Sequence, residues 1–378
     1  MIRIKRKGLI TLKSREWEYI FTKNGTIKLM KYHGAETDVS LPAFINGTAV
    51  TDISVNTFGD RKLRSLYISE NIQFIEKGFF KYNYISKEIT ASAKSDRYYS
   101  TDGVLYNRER TVLISCPKER VHVEILPITL KIADYAFYKC RRLENVVMPR
   151  CLCEIGEYAF YENVSLISVM LPWGLTFMGE GCFCGCEKLE SIVLPANVEV
   201  INDYTFENCE SLVNVQLPER LKIIGSHAFH QCKCLTDMIL PPSLREIRDC
   251  AFYDCHKLKE IAVPNECIKI SANAFFFCAE LTVYYPEKSN YYIIEAARVS
   301  CSKEKCRKLY PKRKFTKKEE KEAFINVDPN PSFQLAYDVS DQYIYITDVY
   351  DSDRSAKKRI RKELFGKSVF ISTEDMEE

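Results

Sequence analysis

Apolar positions in the central chain recur on a fixed beat. Phe137, Phe160, Phe183, Phe206, Phe229, Phe252 and Phe275 stand 23 residues apart. Three residues after each comes Cys140, Asn163, Cys186, Cys209, Cys232, Cys255 or Cys278. Six after each comes Leu143, Leu166, Leu189, Leu212, Leu235, Leu258 or Leu281. At nine and eleven after the Phe stand further apolar pairs: Val146 and Met148, Val169 and Leu171, Ile192 and Leu194, Val215 and Leu217, Met238 and Leu240, Ile261 and Val263. Such alternation is the signature of a short strand with one buried face. Pro149, Pro172, Pro195, Pro218, Pro241 and Pro264 follow directly, and a residue without an amide hydrogen ends the strand. A second apolar pair, such as Leu175 with Met178 or Leu221 with Ile224, leads the chain back toward the next Phe. One unit cannot bury this face alone, whereas stacked units share a continuous core. The pattern predicts a right-handed curved solenoid with parallel strands about 4.8 Å apart.

The repeated phrase I-x-x-x-A-F-x-x-C-x-x-L-x-x-V-x-L-P resembles the BspA-like class of leucine-rich repeats, common in bacterial and protist surface or interaction proteins. The resemblance spans residues 41–286. It implies an α/β-type repeat solenoid with a parallel sheet on its concave face, and a binding role that names no ligand. Residues 1–40 read as a capping β-hairpin turning at Asn24-Gly25. Two degenerate units centred on Phe58 and Phe80 follow, and residues 81–125, containing DGVLYNRERTVLISCP, resemble the extra hairpin of this family. The beat resumes at Ile132. Residues 287–301 read as a C-terminal cap with a helix from Asn290 to Ser300.

Residues at eight and ten after each Phe point away from the core. They are Asn145 and Val147, Ser168 and Met170, Ser191 and Val193, Asn214 and Gln216, Asp237 and Ile239, Glu260 and Ala262. One row is polar and the other largely apolar, interrupted by Gln216. An apolar stripe beside a polar rim is the chemistry of a protein-binding surface. The plainer alternative is that β-branched residues simply suit strands.

The last part of the chain, residues 302–378, changes character. Between Ser302 and Lys321 ten Lys or Arg face three Glu. Thr316 with Glu319 forms a capping box for a helix over 317–324. SFQLAYDV and QYIYITDVY alternate as strands, and Ser352 caps a helix that stops at Gly366. The segment reads as a basic linker followed by a small α+β tail. Lys312, Arg313, Lys314, Lys357, Lys358 and Arg361 are its candidate polyanion contacts. The rival reading therefore makes the chain an adaptor for nucleic acid or an acidic membrane through residues 302–366. A third has it as a structural scaffold with no saturable partner.

Composition narrows the field. With 46% apolar and 28% charged residues the chain suits a globular protein, and a net charge of +3 implies no polyanionic partner by itself. The basic N-terminus builds no signal-peptide core and no stretch reaches eighteen apolar residues, so the expected location is cytoplasmic, with cell-surface or signal-less export as the alternative. Six of the sixteen cysteines form the column three after the Phe, where a small buried side chain is a packing requirement. In a zinc reading Cys182 and Cys184 would meet His227 or His230 from later coils, but these cysteines already have a packing role. No metal ligand and no cofactor is assigned. His33, His122, His227, His230 and His256 match no catalytic spacing, and there is no phosphate loop, so no enzyme activity is expected. Asn24, Asn46 and Asn163 head glycosylation-like triplets and read as turn residues.

Overall fold

The computed structural model describes residues 2–6, 9–264, 267, 269–271 and 273–284, and beyond them only five strands between residues 291 and 371. The chain divides into two units, Met1–Cys186 and Glu187–Glu378.

The first unit opens with four strands, Ile2–Arg6, Leu9–Ser14, Trp17–Phe21 and Ile27–Tyr32, antiparallel in chain order. Ile27–Tyr32 then pairs in parallel with Thr48–Ile53. Asn46 and Gly47, at φ 50° and 78°, close the two-residue turn between Phe44–Ile45 and Thr48–Ile53. Positive φ at both central residues matches the turn's twist to that of the strands. Asp102 and Gly103 do the same between Tyr98–Thr101 and Val104–Asn107. Val104–Asn107 pairs with Val112–Ser115, which passes its ladder in parallel to Lys131–Ile132 and so joins the insertion to the repeats.

Most full coils contribute two strand segments, and in the Phe160 and Phe229 coils the first is reduced to a single bridge residue, Ser168 or Asp237. In the first unit His122–Glu124 pairs with Asn145–Val147, while Lys131–Ile132, Glu154–Ile155 and Phe177–Met178 form a second parallel ladder. In the second unit Ser191–Val193 pairs with Asn214–Gln216, single bridges run Asn214 to Asp237 to Glu260, and Glu260–Ala262 pairs with Thr282–Tyr284. There the second ladder is Val200–Ile201, Ile223–Ile224, Glu246–Ile247 and Lys269–Ile270. Met178 and Ile224, read from the sequence as part of a return path, are thus ladder residues.

The segment around each Phe corrects the α/β expectation. Among the described residues the sole helix is Phe79–Tyr82, outside the regular repeats. Two residues before and two after the Phe, the backbone is left-handed: Tyr135 and Lys139, Tyr158 and Glu162, and Gly181 and Gly185 in the first unit. Tyr204 and Asn208, His227 and Gln231, and Cys250 and Asp254 repeat this in the second. Such residues cannot continue a right-handed helix. Instead their amides point along the stack. Tyr135, Phe137 and Lys139 donate to the carbonyls of Glu157, Ala159 and Tyr161 at 2.8–2.9 Å, and His227, Phe229 and Gln231 donate to those of Asp249, Ala251 and Tyr253 at 2.7–2.8 Å. The repeats form a β-solenoid closed by turns.

The core lies inside these coils. Phe137, Phe160 and Phe183 stack at centroid distances of 4.7 and 5.2 Å, and Phe206, Phe229, Phe252 and Phe275 at 5.3–5.4 Å, all within 15° of parallel. The Leu column from Leu143 to Leu281 is fully buried. Of the residues eleven after the Phe, Leu194, Leu240 and Val263 are buried but Met148, Leu171 and Leu217 are half-buried.

The Cys column does more than fill space. The thiols of Cys186, Cys232, Cys255 and Cys278 donate to the carbonyls of Phe160, Phe206, Phe229 and Phe252, one coil back, at 2.9–3.3 Å. Asn163 occupies the column with its amide, donating to Phe137 O at 2.9 Å. Its side chain is fully buried, which removes it as a glycosylation acceptor in the folded chain.

The expected helix from Asn290 does not start there. Tyr291–Ile294 is a strand paired antiparallel with Phe333–Asp338, as aromatic and β-branched residues favour extended backbone. The helices expected over 317–324 and up to Gly366 lie outside the described residues.

If the column requires a donor to the Phe carbonyl, Asn163→Cys should keep unfolding free energy within about 1 kcal/mol of wild type. Asn163→Val, which removes that bond and leaves Phe137 O only the Cys140 amide, should cost about 0.5–1.5 kcal/mol more than Asn163→Cys in urea unfolding. Equal stabilities for the two variants would show that the column needs only volume.

Candidate recognition surface

Alternation along the first strand of each coil places the outward residues. In Asn145–Val147 the outer two are exposed while Val146 is buried, and Ser191–Val193 and Asn214–Gln216 repeat that pattern. In the first unit Val147 is 46% exposed and Met170 88%, with Asn145 and Ser168 exposed beside them. In the second unit Val193 is 58% and Ile239 68% exposed, with Gln216 between them in sequence. Ser191, Asn214 and Asp237 are exposed and Glu260 half-exposed.

Ala262 departs from the expected row, being only 4% exposed. Its ladder partner is Tyr284, whose large side chain is also buried, and a methyl group does not project beyond such a neighbour. The apolar row of the second unit therefore ends at Ile239.

A charged region adjoins the apolar row in the first unit. Asp38–Ser40, Lys62–Ile68 and Tyr84–Ala91 form a parallel ladder, and backbone bonds from Lys118 and Glu119 to Ile85 and Ser86 carry the stack on toward His122–Glu124. A cavity of about 490 Å³ is lined by Arg64, Ser86, Lys87, Glu88, Glu119, Arg120 and Arg142. Arg64 holds both oxygens of Asp38 at 2.8 and 2.9 Å, and with the Ser65 hydroxyl it keeps that carboxyl below its usual pKa. Arg64 comes from a degenerate early unit and Lys87, Glu88, Glu119 and Arg120 from the segment 81–125, where no repeat phrase marked them, while Arg142 belongs to the first full repeat. The sequence signal was present in the alternation of KLRSLYI alone.

The 23-residue coil, the stacked Phe and the donor column together are specific to one repeat class. A family model for the BspA type leucine-rich repeat region matches six copies, over residues 35–101, 121–217 and 199–310. The chain belongs to the BspA-type leucine-rich repeat family. The match pauses where the hairpin Val104–Asn107 with Val112–Ser115 is inserted. A leucine-rich repeat protein from Eubacterium ventriosum superposes with a TM-score of 0.57 at 21% identity, over 64% of each chain. This BspA-type chain thus spans less than two thirds of that protein. One from Bacteroides ovatus gives a TM-score of 0.45 at 23% identity, over 74% of this chain and 71% of that one. A leucine-rich cell surface protein from Faecalibacterium prausnitzii gives 0.39 at 18%, over 74% and 96%. Comparison with curated proteins finds no match. Leucine-rich repeat proteins of this kind are typically recognition modules without catalysis.

The polyanion candidates Lys312, Arg313, Lys314, Lys357, Lys358 and Arg361 lie outside the described residues. No helix among the described residues is long and apolar enough to cross a membrane. The described cysteines are all free thiols. Burial pushes Cys186 up to about 12, and raises Cys232 further, so both stay protonated and unreactive at neutral pH. Cys151 and Cys153 are exposed. A disulfide-exchange reagent should therefore titrate Cys151 and Cys153 in the native protein and reach Cys186, Cys232 and Cys255 only on unfolding. The test is the number of fast-reacting thiols in Cys151→Ser/Cys153→Ser against wild type, expected to fall by about two.

Proposed function

We propose that this chain is a non-enzymatic recognition protein that binds another protein through the outward face of its strand ladder, the face expected to be concave. The reading rests on the exposure of apolar side chains at one repeat position, Val147 and Met170 in one unit and Val193 and Ile239 in the other. A solvent-facing Met at 88% exposure gains nothing from folding, and apolar area left in water on a regular scaffold is available energy for a partner. Methionine also adapts its shape to a facing surface. The polar row of Asn145, Ser168, Ser191, Asn214 and Asp237 supplies hydrogen-bonding groups for the rim. The family's general role in recognition supports the same assignment.

Folding in a reducing compartment fits this reading, because a buried thiol in nearly every coil donates a hydrogen bond that oxidation would remove.

Met170→Asp with Val193→Asp places two charges in the apolar row without touching the core, so melting temperature should stay within a few degrees of wild type. Affinity for a partner captured by the wild-type chain should drop about 30-fold or more, corresponding to the ~2 kcal/mol of hot-spot loss. A chain truncated at Ser300 should keep that affinity, and raised salt should weaken it little. Loss on truncation with a steep salt dependence would move the function to residues 302–366. An unchanged affinity in the double variant would remove the outward row from the function.

A further inference from the structure

The second unit carries a group of side chains that recognition does not use. Glu207 follows Phe206, and His230 follows Phe229 one coil later, so the 23-residue register sets them side by side. Their side chains meet, with Nδ1 of His230 2.8 Å from Oε1 of Glu207. His227 is the left-handed residue two positions before Phe229, at φ 55°. Its ring stacks on Tyr204 at 5.0 Å and 11° and meets the ring of His230 edge-on at 5.1 Å and 69°. One ligand atom from each of Glu207, His227 and His230 lies within 4.8 Å of the others.

We propose that Glu207, His227 and His230 form a binding site for a divalent transition-metal ion of the zinc class, bridging two successive coils. Two imidazoles and a carboxylate are a nitrogen-and-oxygen donor set suited to such ions, and three protein ligands leave a coordination position for water. Zinc bonds of 2.0–2.2 Å put tetrahedral ligand atoms about 3.4 Å apart, a spacing reached here by small side-chain rotations. All three residues are half-buried, so they are partly desolvated yet open to an ion from solvent.

Two further observations point to a ligand. Nδ1 of His227 is buried without a hydrogen-bond partner. Unpaired buried nitrogens are costly, and an ion would satisfy this one. The surroundings are acidic: Asp203 and Asp249 lie near His227 together with Glu207. Arg248 neutralises part of Asp203, at 3.5 Å, and Asp249 accepts from the Ser271 hydroxyl.

The test uses the full chain, stripped of metal and kept reduced, titrated with Co²⁺. A site of imidazole and carboxylate gives visible d–d bands without the intense near-ultraviolet sulfur-to-cobalt charge transfer of cysteine ligation. The expected result is one saturable ion per chain with d–d bands alone and a metal-dependent rise in melting temperature. His227→Phe retains a ring to stack on Tyr204, and Glu207→Gln retains an acceptor for His230. Each should leave the metal-free melting temperature near wild type and weaken Co²⁺ binding about 10-fold or more. Charge-transfer bands would place the ion on thiols and overturn the proposal, as would undiminished binding in both variants or no saturable binding at all.

Discussion

The structure depends on a handover of backbone hydrogen bonds between coils at the Phe turn. From the Phe137 to the Phe252 turn a left-handed residue stands two before and two after the Phe, and at the Phe137, Phe160, Phe206 and Phe229 turns this alternation aims three amides at the next coil. Left-handed backbone at a non-glycine residue costs about 1–2 kcal/mol. Only the Phe183 turn avoids that cost, with Gly181 and Gly185 at the two positions. Elsewhere the strain is offset by two or three backbone bonds per turn and by a Phe ring packed face to face on its neighbour within each unit. Because a bond made at the turn fixes the register of the whole coil, every other column follows. The Leu, the thiol and the outward pair all recur at the same offset from Phe for this reason.

The Phe, Leu and outward columns were legible because each is a side-chain property at a fixed spacing. The turns were not. Tyr158, Glu162, Asn208 and Gln231 carry no mark of a left-handed backbone, and only Gly181 and Gly185 hint at it, so a helix was the default for an α/β reading. The second strand was missed because two residues, such as Glu154–Ile155, are too few to show an alternation. Ala262 was placed outward correctly by period but not by size, since burial there is decided by Tyr284, which belongs to a coil without the full phrase. Glu207 and His230 were legible by arithmetic, being 23 residues apart, but the histidines were weighed against cysteines of other columns.

Asn163 explains what the thiol column is for. A cysteine and an asparagine share little in shape or polarity, but both fit a buried bend and donate to a carbonyl one coil back. The Phe carbonyl already accepts from the amide three residues on, as Phe137 does from Cys140 at 3.1 Å, and the column donor fills its second lone pair. The Asn carries a penalty that a thiol does not: its Oδ1 is buried without a partner. The column is therefore a hydrogen-bonding device in which the thiol is the smallest adequate donor, and free thiols are part of the fold's stability rather than its chemistry.

The same register that fixes the interior leaves specificity few places to reside. Inward residues must match the coil above and below, so Phe, Leu and the donor column have little freedom to vary. The outward pair has no such neighbour to satisfy, and there the chain runs from Asn to Asp and from Met to Gln. Turn residues beside the Phe are the second free column, and there Tyr138 and Tyr161 stack in one unit while Glu207 and His230 meet in the other. A 23-residue coil thus separates two tasks along its length: the strand presents single side chains to a partner, and the turn brings residues from successive coils into contact. Chemistry that needs two or three groups within reach of one another, such as ion binding, belongs at the turn; recognition over a broad surface belongs on the strand.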